Sequence, residues 1–421
     1  MTTFPPLPYW VHLELHVQEI LSEQQRHGWY FDEVSARKLA LSLGGELRKT
    51  EELLRRKYPF VAGPQFTPKR PNKTQGYHTG ATFTRLKEFN PTSRDHIAWI
   101  LTTHYGWEPS QTTETGKPVI DEKVLSDLDY PIAKHLSRCL DLRKKLGMLE
   151  EGTNAWLRLV DESSRLHHYC SVSTNTHRCA HRNPNLAQVP SDSEFRKLFK
   201  PTPGMVMVGA DLSGIELRML AHYLGAYDNG RYADILLNGD IHQVNADKIG
   251  ITRTQVKTVT YAFLYGAGDK KIGISIDKSL SETDATKRGR EVRAAFVDAI
   301  NGLGELLAAV KHRARQGSIT AIDGRTIRVD SQHKALNYLL QSSAGIIAKH
   351  WMCGAHIHIK DKPAHQLGFI HDELQYEAKP DYADQLAEAL IREAANAGTA
   401  YSLRLPIAAE ARIGESWADT H

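Results

Sequence analysis

The sequence predicts an α+β protein on three observations. The first third carries apolar residues at helical spacing, the middle holds a short apolar run ending in a carboxylate, and near residue 370 two apolar segments flank an acidic turn. Apolar residues make up 41% and charged residues 24% of the 421 positions, the proportions of a folded domain, so disorder is excluded as the main state. No run approaches the roughly 18 apolar residues of a membrane-spanning helix. The opening MTTFPPLPYW lacks the basic and apolar segments of a secretory signal. Cys139, Cys170, Cys179 and Cys353 form no CxxC pair and read as free thiols of a reducing compartment. A net charge of +4 permits a polyanionic partner without demanding one.

Residues 11–26 and 33–57 read as helices. Asp32 is a candidate N-cap of the second, and Leu39, Leu43, Leu47, Leu53 and Leu54 form its apolar stripe. Further helices are expected over 93–105 and 121–148. Between Glu52 and Glu88 there is no acid but eight bases: Arg55, Arg56, Lys57, Lys69, Arg70, Lys73, Arg85 and Lys87. Pro59, Pro64, Pro68 and Pro71 break any helix there, so 58–90 is expected to be a long basic loop flanked by helices. It is either a solvated linker or, because acids are absent rather than outnumbered, a flap that tracks phosphates.

Residues 205–210 are expected as a buried strand that ends at Asp211, followed by a helix over 214–224. A helix over 253–265 should close near Gly266. Residues 333–358 read as a long helix, and 368–378 as two strands around a His371–Asp372–Glu373 turn.

Three groups of residues carry chemistry. Asp211, with Glu216 nearby, sits where a strand meets a loop, which exposes a side chain while the strand holds it rigid. Asp372 and Glu373 occupy the acidic turn. Singly, each reads equally well as a turn former or a solvated acid. Together they offer two carboxylates on separate strands that can meet, a donor set suited to Mg²⁺ and to two-ion phosphoryl transfer. Arg253, Lys257, Tyr261 and Tyr265 recur every four residues and line one face of a helix. Two cations a turn apart match a polyphosphate, and two rings further along can stack on a sugar and a base. His242, upstream, is either a further phosphate contact or structural.

These motifs resemble those of family A (Pol I-like) DNA polymerases, in particular the replicative enzymes of short-tailed bacteriophages. The strand-end motif is Asp211-Leu-Ser-Gly-Ile-Glu216-Leu-Arg218, and the helix motif runs from Arg253 to Gly266. His371-Asp372-Glu373 supplies the acidic turn, and Thr176-His177-Arg178 precedes Pro184-Asn185-Leu186-Ala187-Gln188-Val189-Pro190. Asn337 and Gln341 form a further element, and the segment 89–96 and the final His421 are similar to the phage branch. The likeness covers about 10–421.

The resemblance implies a right-hand polymerase fold with a helical thumb (1–160, including the basic loop), a palm on an antiparallel sheet (161–232 and 331–421) and helical fingers (233–330). It implies a template-directed DNA polymerase whose partners are primer–template DNA and deoxynucleoside triphosphates. Asp211, Asp372 and the Leu212 carbonyl would hold two Mg²⁺, with Mn²⁺ able to substitute, and Glu373 would assist. Arg253, Lys257 and His242 would hold the triphosphate, with Lys257 protonating the departing pyrophosphate. Glu216 would select the sugar, and Tyr261 would take the place of a missing 3′-hydroxyl contact. Tyr265 and Gly266 would sit by the templating base. Arg178, Gln188, Asn337, Gln341 and His371 would contact the duplex and primer end. No membrane role is implied, and the expected location is the cytoplasm of a bacterium or an infected host cell.

The pattern departs in three places. Relatives usually carry an N-terminal 3′–5′ exonuclease, and no room for one precedes residue 10, so proofreading is expected to be absent or supplied by a separate chain. Phage relatives carry in the thumb a longer insertion that binds a host thioredoxin. The stretch is much shorter here, which counts against thioredoxin and leaves Lys69, Arg70 and Lys73 to hold the duplex directly. A separate exonuclease or processivity factor stays open as a partner, as does a role in lesion bypass. Finally, His177 stands where the family usually has glycine.

Rival readings are weaker. His167, His168, Cys170, His177, Cys179 and His181 are zinc-ligand types, but their spacing is neither CxxC nor HExxH. A single-subunit RNA polymerase would not be expected to keep Glu216. A DNA-binding protein with a decayed site would not retain every candidate catalytic residue. A helicase is disfavoured because no GxxxxGK[ST] loop occurs.

Overall fold

The apolar run before Asp211 becomes the strand Val206–Leu212, buried from Met207 to Ala210. It is the third strand of a four-stranded antiparallel sheet ordered Ala364–Ile370, Glu373–Ala378, Val206–Leu212, Ala409–Gly414. An uninterrupted apolar run suits this place because both faces are covered. Helix Pro380–Ala400 packs against the strand, and helix Ala335–Ile357, buried along most of its length, packs against Pro380–Ala400 and Tyr9–His27. On the other face Gly209 leaves room for the C-terminal residues. A Cβ there would stand 2.4 Å from the Gln375 amide and 2.6 Å from Thr420 Cβ.

The computed structural model describes residues 7–109, 111–113, 115–277 and 280–421. It divides into a unit of 1–33 with 159–421 and a unit of 34–158. Residues 7–33 join the larger unit through a long-range pairing, in which Trp29–Phe31 pairs with Arg165–Leu166 on one side and Phe199–Lys200 on the other. Trp29 also stacks on Trp417 with ring centroids 5.2 Å apart.

The larger unit also contains the helices Arg231–Asn238, Ile241–Ile249, Arg253–Leu264, Asp269–Ile276, Glu282–Ala299 and Leu303–Ala314. Asp269–Ile276 and Glu282–Ala299 touch backbone to backbone at Gly289, where a Cβ would overlap the Asp269 carbonyl.

In the smaller unit helix Glu33–Lys57 runs as expected, but its buried stripe is Ala36, Ala40, Leu43, Leu47 and Leu54. Leu53 is exposed and Leu39 only partly buried. The expected long loop at 58–90 is corrected to a β-hairpin, Phe60–Phe66 paired with Phe83–Glu88. The prolines do exclude helix, but Pro64 falls at a register shift between Ala62 and Gln65, where a strand tolerates it. Phe66, Tyr77 and Phe83 cluster near its end, with Arg85 4.8 Å over the Phe66 ring. Lys69, Arg70 and Lys73 are exposed on the connection between the strands. The helix expected over 121–148 is split into Glu122–Ser126 and Ala133–Leu146, with Pro131 in the gap. Among the described residues no helix is long and apolar enough to cross a membrane.

Candidate active site

Two chain segments bring the acids together. Asp211 is the penultimate residue of its strand, and Asp372 lies in the turn between Ala364–Ile370 and Glu373–Ala378. The Leu212 N–H donates to the Asp372 carbonyl at 3.0 Å, and the register sets Asp211 opposite both Glu373 and Glu410. Asp211 is thus flanked by carboxylates on both neighbouring strands.

The electrostatics follow. Loss of hydration, with Glu373, Glu216 and Glu410, pushes the Asp211 carboxyl up to about 6, against a downward pull from His421. Loss of hydration, with Glu216 and Asp211, pushes Asp372 up to about 7, and Arg178 offsets this in part. Two carboxyls that resist ionisation beside one another are stabilised by a divalent cation, and their hard oxygens fit Mg²⁺.

Glu373 differs from its neighbour. It is buried, its Oε1 accepts from Gln375 Nε2 at 2.7 Å and from the Trp417 indole, and its Oε2 meets His421 Nδ1 at 2.9 Å. Its carboxylate is fixed by the sheet and the C-terminal residues, and it reaches Asp211 through its field.

Glu216 sits in the first turn of helix Ile215–Leu224 and is buried. Its Oε1 accepts from Arg178 Nη2 at 2.7 Å and from the Tyr265 hydroxyl at 3.0 Å. Burial and Glu216 push the Tyr265 phenol up to about 12. Tyr261, one turn earlier, is raised by burial and then by Glu216 and Asp372, so the aromatic end of the four-residue ladder faces the carboxylates.

At its cationic end, Arg253 Nε donates to Asp240 Oδ2 at 2.7 Å, and Lys257 is exposed one turn on. Asp240 caps helix Ile241–Ile249 through the His242 and Gln243 N–H groups. Burial lowers the His242 pKa; Asp240 works against this, while Arg253 and Lys257 add to it. The His242 ring lies 6.4 Å from that of Tyr261. The pairing of Asp240 with Arg253 escaped sequence reading, although Gly239-Asp240-Ile241-His242 is an N-cap pattern that places an acid there.

Asn337 donates to the Leu264 carbonyl. Gly266 has φ +70°, and a Cβ built there would lie 3.7 Å from Asn337, so the end of the ladder helix is seated on Ala335–Ile357. Gln341 lies one turn further along that helix. His371 also has a left-handed backbone, φ +63°, and its ring meets His181 edge-on at 5.7 Å. Burial and Arg178 lower its pKa.

His177 takes φ +59°, a conformation that favours glycine, and its Nδ1 lies 2.6 Å from Ser342 Oγ. That bond secures the loop carrying Arg178. Gln188 is exposed in the turn Leu186–Gln188, and no described contact joins it to the cluster. Lys69, Arg70 and Lys73 belong to the smaller unit.

A fold of this kind, with a carboxylate pair at the sheet end and a cationic-aromatic helix beside it, defines a nucleotidyl-transfer class. The model for DNA polymerase family A matches residues 71–419, and the chain belongs to that family. It is 29% identical to the DNA-directed DNA polymerase of Escherichia phage T7 over 98% of this chain and 70% of the relative. It is 32% identical to that of Enterobacteria phage T3 over 83% of this chain and 55% of the relative, so it spans little more than half of the T3 protein. Among solved structures, the polymerase domain of Pol1 from M. smegmatis, in complex with DNA primer-template and dNTP, has the same fold. The TM-score is 0.78 at 21% identity, covering 97% of this chain and 70% of that one.

Proposed function

We propose that the chain is a template-directed DNA polymerase that adds deoxynucleotides to a primer 3′ end. The observation that carries this reading is the meeting of Asp211 and Asp372, both with raised pKa, beside the Arg253–Tyr265 helix. Asp211, Asp372 and the Leu212 carbonyl would hold two Mg²⁺, or Mn²⁺ in their place. Such ions, when bound, acidify a 3′-hydroxyl and neutralise charge on pyrophosphate.

The residues of the chain do the rest. Lys257, exposed and without a carboxylate partner among the described contacts, neutralises the incoming triphosphate and delivers a proton to the leaving pyrophosphate. Arg253 exchanges Asp240 for phosphate oxygens, and His242 adds a third contact. Glu216 crowds the sugar 2′ position, and Tyr261 presents its hydroxyl near the 3′ position. Tyr265 and Gly266 border the templating base. Arg178, His371, Asn337, Gln341 and Gln188 line the path of primer and template. In this reading 1–160 serves as thumb, 161–232 with 331–421 as palm and 233–330 as fingers, and Lys69, Arg70 and Lys73 hold duplex phosphates. The expected place of work is the cytoplasm.

The test is template dependence. With a labelled primer, the purified chain should extend in the order the template dictates and stop one base before any withheld nucleotide. Addition indifferent to template sequence would overturn the proposal.

A further inference from the structure

Six potential metal ligands crowd residues 167–181, and folding gathers three of them. Strands Tyr169–Ser171 and Ala180–Arg182 pair antiparallel with Cys170 opposite His181. Residues two apart on a strand, and residues directly opposite across a pair, share one face. His168, Cys170 and His181 therefore point the same way. All three are buried, and one donor atom from each lies within 4.8 Å of the others. Cys170 Sγ lies 3.2 Å from His181 Nδ1. Gln24, from helix Tyr9–His27, closes another side, with its amide nitrogen 3.1 Å from His168 Nε2 and 3.7 Å from Cys170 Sγ.

Two features separate this cluster from an ordinary core. His168 Nε2 and His181 Nδ1 face Gln24 and Cys170, while the opposite ring nitrogens, His168 Nδ1 and His181 Nε2, are buried with no hydrogen-bond partner among the described residues, so neither imidazole is fully satisfied. The donor set also holds two imidazoles and a thiol with no carboxylate, which suits a borderline or soft ion and not Mg²⁺. A tetrahedral centre with bonds of about 2.0 Å to nitrogen and 2.3 Å to sulfur spaces its donors roughly 3.3–3.6 Å apart, close to the Cys170–His181 separation.

We propose that His168, Cys170 and His181 form a binding site for Zn²⁺ that staples the hairpin of residues 169–182, with the Gln24 amide of helix Tyr9–His27 packed beside it. On binding, the Cys170 thiol gives its proton to solvent and its sulfur bonds the ion together with one nitrogen of each imidazole. The His181 ring also meets that of His371, which precedes Asp372 in the acidic turn. The site is independent of the polymerase reading, because its test reads the ion directly.

Chelator-treated chain is titrated with Co²⁺ as a spectroscopic probe. The expected result is a thiolate-to-cobalt charge-transfer band with visible bands of tetrahedral cobalt, saturating at one equivalent and abolished by one equivalent of Zn²⁺. Cys170→Ser should lose the band while Asp372→Ala keeps it, and His168→Asn should weaken cobalt binding at least tenfold. Should circular dichroism show Cys170→Ser unfolded, His168→Asn decides alone. A band that persists in Cys170→Ser or an unweakened His168→Asn overturns the proposal, as does cobalt binding without any charge-transfer band.

Discussion

The Tyr265 hydroxyl donates to Glu216 at 3.0 Å, on the same carboxylate oxygen that takes the Arg178 guanidinium at 2.7 Å. One buried acid is thereby held by the end of the ladder helix and by the loop at 172–179. It stands close enough to Asp372 and Asp211 to raise both. A carboxylate so fixed is a rigid wall for whatever sugar lies beside it. Glu216→Ala should lower the preference for deoxynucleotides over ribonucleotides at least tenfold, read as the ratio of kcat/KM values. It should also slow deoxynucleotide addition, since Arg178 loses its partner. An unchanged ratio would count against Glu216 as the sugar gate.

Tyr261 is raised by burial, Glu216 and Asp372, so its phenol remains a protonated donor across the neutral range. That hydroxyl can take the place of a missing sugar 3′-hydroxyl. The unmodified chain should therefore accept dideoxynucleotides well, and Tyr261→Phe should discriminate against them at least tenfold more. Competition between deoxy and dideoxy forms on one template measures this, and equal acceptance by the two proteins would contradict the role.

The raised carboxyls have a consequence for pH. Their folded pKa values, about 6 for Asp211 and about 7 for Asp372, lie above the ordinary value of 3.8. The stability they contribute is full below that ordinary value and is lost as pH rises through about 6 to 7. Metal-free Asp372→Asn should therefore melt about 1–3 °C above the parent at pH 8, and level with it at pH 4, while losing extension altogether. The parent's Mg²⁺ affinity should rise between pH 6 and 8 as the pair ionises. A variant less stable than the parent at pH 8 would show that the carboxylates do not repel.

Lys69, Arg70 and Lys73 are exposed on an acid-free connection. Each phosphate contact contributes about 0.9 to the slope of log affinity against log salt. Replacing all three with Gln should flatten that slope for primer–template by about 2–3. An unaltered slope would free the hairpin of any role in holding DNA.

Much of this site was legible because its chemistry is local in sequence. A four-residue repeat of Arg253, Lys257, Tyr261 and Tyr265 needs only helix geometry to align it. An apolar run ending in Asp211 needs only a strand. What could not be read depends on distant pairing. Ala409–Gly414, which places Glu410 beside Asp211, does alternate apolar and polar residues, but over only five positions and with two alanines, and nothing in that pattern names its partner strand. Trp29 joins the larger unit through Trp417, a partner nearly the whole chain away. The prolines of 58–90 excluded helix but said nothing of a hairpin, because the register shift that admits Pro64 belongs to the pair of strands. Glu373 reads in sequence like a twin of Asp372, yet Gln375, Trp417 and His421 occupy both of its oxygens.

The most direct measurement is extension of a labelled primer by the purified chain in Mg²⁺, with deoxynucleotides, with ribonucleotides, and with Asp372→Ala in place of the parent. The account predicts extension with deoxynucleotides alone and none in the variant, which should still bind primer–template. Extension by Asp372→Ala, or no extension by a parent chain that binds primer–template tightly, would contradict it.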